Sequence, residues 1–266
     1  ARDLDLVPAL IQTTTTDAWR SVTEWASSRS RSTIIERTTL LGFAAASLGE
    51  TTLHGSPWRI THHEARTPGR RRPLVVNLSA LWAGPLAAHL LHHSGADVID
   101  VESTTRPDPT RTTTPEFHAA LHHGHQRRVI DFTDRTALGA LLRSADIIIE
   151  ASRPRAFHAL GLDADTILAD GRARTWLRIT GHRNHHRIAF GDDAAIAGGL
   201  VAWDTHHAPV FAGDAIADPL TGLLAALAVV AHHNPASSSA TIVDITLAET
   251  AAYSAVNPTH PCPTRG

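Results

Sequence analysis

A chain of 266 residues with 42% apolar content can bury one large core or a large core and a small one, and a formal charge of −2 announces no basic surface for nucleic acid. All 24 cationic residues are arginine, which excludes a lysine Schiff base or lysine general base, and the single Cys262 excludes a disulfide framework or a thiolate metal cluster. No apolar run approaches membrane-spanning length and the first residues lack the basic-then-apolar pattern of a secretion signal, so the expectation is a cytoplasmic protein without a membrane partner.

Taken in chain order, Trp19, Val22 and Trp25 recur at three-residue spacing, and Ile34, Ile35, Leu40 and Leu41 follow before Gly42, which predicts two helices within residues 17–50. A short strand is expected over 58–61. Residues 64–72 are polar and carry Pro68, Gly69 and four arginines, the composition of a linker. The expected division is therefore a small, mainly helical segment at 1–63, a linker at 64–72, an α/β domain at 73–256 and a disordered, proline-rich tail at 257–266.

Beyond the linker the period changes. The apolar run 74–78 reads as a buried strand, Gly84-Pro85 breaks it, 86–93 is helical, Gly95 stops the helix, and 97–102 is the next strand. This is a β-α-β unit, the building block of parallel sheets. The theme recurs with a strand at 128–132, a helix at 134–143 capped by Asp134, and a strand at 146–150; 164–170 is helical and 175–180 is again a strand. Asp218-Pro219 before the apolar run 220–231 reads as a helix start, with Asp218 as N-cap and Pro219 at the first helical position. A strand at 241–247 and a helix at 248–256 complete the pattern. The fold class is α/β, a doubly wound, Rossmann-like and mainly parallel sheet, in which ligands bind outside the carboxyl ends of the strands.

No Gly-rich phosphate loop of either common type and no G-x-S-x-G elbow occurs. What remains is carboxylate chemistry: Asp192-Asp193 after Gly191, and Asp214 and Asp218 flanking Ala215-Ile216-Ala217. The nineteen histidines include adjacent pairs at 62–63, 92–93, 122–123, 185–186, 206–207 and 232–233. They show no metal-binding helical spacing and are read as solvated surface, so no metal is expected.

The run Asn77-Leu78-Ser79-Ala80-Leu81-Trp82-Ala83-Gly84-Pro85, followed by Ser94-Gly95-Ala96-Asp97-Val98-Ile99-Asp100-Val101-Glu102, resembles the opening of the family III CoA-transferases, the CaiB/BaiF group. Residues 124–132, 145–150, Arg153-Pro154, Leu160-Gly161-Leu162, Ile179-Thr180-Gly181, Gly191-Asp192-Asp193, 217–222 and Val243-Asp244-Ile245 continue that family's order. The resemblance implies an acyl-CoA:carboxylate CoA-transferase, with an acyl-CoA and a carboxylate acceptor as partners and a homodimeric assembly. It places Asp218 at the catalytic aspartate, passing through mixed-anhydride and aspartyl-CoA intermediates, with Asp214 as the nearby alternative. A helix N-terminus would lower the pKa of that carboxylate. Coenzyme A would lie against Leu81, Trp82 and Ala83 and the loop of Ala151 and Ser152, its phosphates met by Arg106, Arg111, Arg153 and Arg155.

The family also holds the α-methylacyl-CoA racemases, whose His-Asp pair sits in a G-H-D motif; here the triplet is Gly191-Asp192-Asp193, which favours the transferase. Other positions depart from the pattern: His125 replaces a lysine, an arginine expected near Ala159 is missing, and a glycine-rich turn has become His182-Arg183-Asn184-His185-His186. Family members are longer, with a second half carrying a glycine-rich active-site loop. The N-terminal segment loosely resembles the small domain found downstream in the family, and Ala1 in place of Met suggests a trimmed parent. A catalytically silent CoA-binding or assembly relative, or a fragment, is the alternative expectation; a histidine-rich metal-binding protein rests on composition alone.

Overall fold

The computed structural model describes residues 2–53, 55–64, 70–151, 155–170, 172–234, 236 and 239–255. Three helices open the chain, α1 (Arg2–Ile11), α2 (Ala18–Ser27) and α3 (Arg31–Leu41). Asp17 and Ser30 cap α2 and α3 by accepting from the backbone N–H of Arg20 and Thr33, and Gly42 ends α3 in the left-handed conformation at φ 75°. The three share a small core of their own around Val7, Leu10, Ile11 and Trp25. Helix α1 has no counterpart in the sequence reading.

The remaining elements are β1 (Trp58–Glu64), β2 (Leu74–Asn77), α4 (Ala83–His93), β3 (Asp97–Ser103), α5 (Thr110–Thr113), α6 (Pro115–Leu121), β4 (Gln126–Ile130), α7 (Arg135–Ser144) and β5 (Ile147–Glu150). They continue with α8 (Arg155–Leu160), α9 (Ala164–Asp170), β6 (Thr175–Thr180), α10 (Gly191–Ala197), β7 (Val201–Trp203), β8 (Pro209–Phe211), α11 (Ala217–His232), β9 (Ser239–Thr246) and α12 (Leu247–Ala255). Seven strands form one sheet in the order β1-β9-β6-β5-β2-β3-β4, all parallel except the edge strand β1, which runs antiparallel to β9. Strands β7 and β8 form a separate antiparallel hairpin.

Alternation along the strands explains why both faces are covered. Val75, Ile147, Ile149, Leu177, Ile179, Val243 and Ile245 face a core shared with α4, α10, α11 and α12, while Val76, Ile148, Trp176 and Ile242 face α7 and α9. The chain winds outward from β2 in one direction and from β5 in the other. The switch point therefore lies between β2 and β5, and the crevice beyond their carboxyl ends is where such sheets take ligands.

Among the described residues no helix is long and apolar enough to cross a membrane. Residues 65–69 of the expected linker and the expected tail at 257–266 lie outside the described residues. The sequence reading also missed α5, α6, α10 and the β7–β8 hairpin, whose Trp203, Val210 and Phe211 are all exposed.

Candidate active site

A cavity of about 640 Å³ opens at the switch point, lined by Leu78 and Ser79 after β2, by Ser103 at the end of β3, by Ala151 after β5, and by Gly181 after β6. Phe132, Phe157, Leu160, Ile179 and Phe190 supply an apolar wall, and Asp218 supplies a carboxylate. Leu81, Ala83, Arg106 and Ala151, expected to meet coenzyme A, all line the same space.

Asp218 gets there by a route the sequence reading did not foresee. It is not the N-cap: α11 begins at Ala217 with Ile216 at the cap, and Asp218 lies within the first turn, its backbone N–H donating to Ala215 O at 2.9 Å. The expected Asp-then-Pro start is displaced because Ala215 turns the chain at φ 46° just before the helix. The carboxylate lies beside the backbone N–H groups of Gly191 and Ala83, which favour its charged form. Two glycines make this closeness possible. A Cβ on Gly222 would stand 2.7 Å from Ala83 O, so its absence lets α11 press against the start of α4; a Cβ on Gly191 would stand 2.2 Å from Ala215 O and 2.5 Å from Asp218 Oδ2.

The electrostatics also reverse an expectation. The helix N-terminus was expected to lower the Asp218 pKa, but burial pushes it up to about 6, with Asp193 and Asp192 adding to the rise and the Gly191 and Ala83 amides opposing it. Asp193 is pushed up to about 6 as well, again chiefly by burial, although the Phe190 N–H donates to its Oδ1 at 2.8 Å. Asp192 accepts the Ala215 N–H at 2.8 Å and so holds the turn that precedes Asp218. Asp214 is exposed and is not among the residues lining the cavity.

Another non-glycine residue with left-handed backbone, Leu81 at φ 70°, also lines the cavity. Such a conformation costs on the order of 1 kcal/mol and persists only where the surroundings enforce it. Buried Asp108 does so, accepting the Leu81 N–H at 3.0 Å while its other oxygen accepts from the Thr110 N–H and hydroxyl. Asp108 was absent from the expected site; the Asp-Pro-Thr run at 108–110 was the signal that could have found it.

The expected coenzyme A residues divide. Trp82 is not among the lining residues and stacks edge-on against Phe117 at 5.1 Å. Arg111 is ion-paired to Glu102, which also pairs with Arg127 at 2.7 Å, so its charge is already spent inside the fold. Arg106 is exposed at the rim and makes no ion pair among the described residues. Ser152, Arg153 and the Arg155 side chain lie outside the described residues.

The histidines are not all solvated surface. His118 and His182 are buried, and the His125 side chain is 1% exposed; His118 and His125 share a corner because α6 and the start of β4 lie against β3, whereas His182 follows β6 near Glu50 and Arg187. Burial and Arg187 push His182 down to about 4, against the pull of Glu50.

Comparison with known proteins gives this geometry a context. The model of the family described as CoA-transferase family III matches residues 73–261. A succinate–glutarate CoA-transferase of Agrobacterium fabrum is 30% identical over 190 residues, 62% of this chain and 48% of that protein. A succinyl-CoA–D-citramalate CoA-transferase of Chloroflexus aurantiacus is 27% identical over 204 residues, 67% of this chain and 50% of that protein. This chain thus spans about half the length of those curated relatives. Among solved structures, a CaiB/BaiF family protein from Brucella suis superposes with a TM-score of 0.64 at 24% identity, covering 74% of this chain and 57% of that one, a likeness of fold.

Proposed function

The chain belongs to CoA-transferase family III, and on that premise we propose that it moves coenzyme A from an acyl-CoA to an acceptor carboxylate with Asp218 as nucleophile. The ionised Asp218 attacks the thioester carbonyl, forming a mixed anhydride and releasing the CoA thiolate. The thiolate attacks the aspartyl carbonyl of the anhydride, giving an aspartyl-CoA thioester and expelling the donor's carboxylate. The acceptor carboxylate then repeats the sequence in reverse, forming a second anhydride whose acyl carbonyl the thiolate takes, which restores Asp218.

The observation that carries this reading is the Asp218 carboxylate itself, beside the Gly191 and Ala83 N–H groups in the wall of the cavity at the sheet's switch point. N–H groups beside that carboxyl are suited to the charge that develops on its oxygen as the tetrahedral intermediate forms. The apolar wall of Phe157, Ile179 and Phe190 favours an anhydride over its hydrolysis. Coenzyme A lies along Leu81, Ala83 and Ala151 in this reading, with Arg106 at its phosphates. The racemase alternative is disfavoured because Asp192, at the position of the racemase histidine, is engaged by the Ala215 N–H.

Incubation with succinyl-CoA and a dicarboxylate, followed by hydroxylamine, tests the assignment. A hydroxamate on the peptide bearing Asp218, found by mass spectrometry, supports it. CoA bound with no modification favours the silent CoA-binding reading. A homodimer belongs to the proposal, and light scattering on the eluting species checks it.

A further inference from the structure

The polar interior at the β3–β4 corner lies outside the proposed chemistry. Asp100 on β3 is 7% exposed, and its Oδ2 stands 2.6 Å from His122 Nδ1 and 2.8 Å from His125 Nδ1. Its Oδ1 accepts from Asn77 Nδ2 at 2.8 Å, which fixes the carboxylate plane. His122 caps α6 at its carboxyl end and His125 immediately precedes β4, so the three donors come from three elements. One donor atom from each lies within 4.8 Å of the others. The Nε2 atoms of both histidines are buried and have no hydrogen-bond partner. A second set, Asp108, His118 and His122, meets the same distance and shares His122, whose ring lies 4.1 Å from that of His118.

We propose that Asp100, His122 and His125 form a binding site for a divalent transition-metal ion of the zinc class. Two imidazole nitrogens and one carboxylate oxygen are the donor set that suits zinc, copper, nickel or iron rather than magnesium or calcium. Three protein ligands around a four-coordinate ion leave one position open to water. Metal–ligand bonds of about 2.0–2.2 Å separate tetrahedral donors by roughly 3.3 Å, so the present contacts must open by about 0.5–0.7 Å. In the neutral rings each proton moves from Nδ1 to Nε2 as the ion takes Nδ1. Asn77 is the positioning residue, since it orients the carboxylate ligand and its own Oδ1 accepts the Ser79 N–H at 3.1 Å. The ion would pin the carboxyl end of α6 and the turn before β4 to β3, beside His118 and the Asp108 that holds Leu81 in the cavity wall.

The full chain, stripped with EDTA and dialysed against low micromolar zinc, is expected to retain a single ion by elemental analysis. Cobalt in its place should give the visible ligand-field absorption of a low-symmetry nitrogen and oxygen site, and long-range ¹H–¹⁵N spectra should show two imidazoles bound through Nδ1. His122→Gln and His125→Gln should each weaken zinc binding on the order of 100-fold and Asn77→Ala by about tenfold, while the exposed His206→Gln leaves it unchanged. Should a ligand variant fail to fold, the wild-type spectra alone decide. Zinc not retained by the wild type, zinc retained equally by the folded ligand variants, or zinc lost with His206→Gln would overturn the site.

Discussion

Two carboxylates beneath the carboxyl edge of one sheet have been given opposite surroundings. Asp218 is met by two backbone amides and faces Asp193 and Asp192, and burial, first among the causes, lifts it to about 6. Asp100 is also buried, but hydrogen bonds from His122, His125 and Asn77 outweigh that burial and hold it well below the usual carboxylate range. Burial leaves Asp218 basic, as the proposed attack on a thioester needs, despite the amides beside it, whereas two imidazoles and an amide fix Asp100 as a negative anchor. Asn77 touches both regions, donating to Asp100 and accepting from the Ser79 N–H in the cavity loop.

The comparison breaks most visibly at Asp218. Asp218→Asn keeps an oxygen beside the Gly191 and Ala83 N–H groups but removes the proposed nucleophile, so the proposed CoA transfer should fall by at least about 10⁴-fold with the fold intact. Because the folded pKa lies above the unfolded one, Asp218 favours folding below about pH 4 and that contribution is lost as pH rises through about 6. The variant should therefore be more stable than the wild type at pH 7 by about 1–2 kcal/mol and equal to it in acid, as measured by urea unfolding across pH. Wild-type turnover should rise with pH through about 6. A variant that is less stable at pH 7 would show that Asp218 is a structural partner like Asp100.

Next in size is Gly191→Ala. The added Cβ meets Ala215 O, a backbone atom that cannot swing aside, and Asp218 Oδ2. A carboxylate displaced by about 1 Å should cost roughly 100-fold in kcat, with a smaller loss of stability. Asp100→Asn should do the reverse, leaving kcat within about threefold while destabilising the chain by about 2–3 kcal/mol, because it leaves buried imidazoles facing a neutral amide in place of a carboxylate. Thermal unfolding in EDTA measures the second effect without metal.

The sheet was legible because its strands are short apolar runs bounded by polar or glycine breaks, as at Val75-Val76 and Ile147-Ile148-Ile149, and burial on both faces demands that composition. The β7–β8 hairpin was not, because Trp203, Val210 and Phe211 face outward and no core imposes an alternation. At the site, the position of Asp218 was legible but not its partners. Backbone N–H groups carry no residue identity, and only Gly191 betrays one of them. The histidine corner was illegible for another reason: Asp100 and His125 are adjacent only because β4 pairs with β3, and their spacing along the chain resembles no helical ligand pattern.

The smallest effect separates two arginines that the sequence treated alike. Arg106 lines the rim of the cavity with its head exposed, whereas Arg111 is held by Glu102. Arg106→Ala should raise the KM for the acyl-CoA by about 2–5-fold without changing kcat, and the difference should shrink as salt is added, since an exposed guanidinium–phosphate contact is worth under about 1 kcal/mol and is screened. Arg111→Ala should leave KM alone and instead lower stability, because Glu102 loses one of its two partners while Arg127 stays. Equal KM effects in the two variants would place the phosphates across both arginines and require the Glu102 pair to open when coenzyme A binds. Unequal effects confine the phosphates to the rim, on the cavity side of Glu102, and leave the Asp100 corner outside coenzyme A recognition.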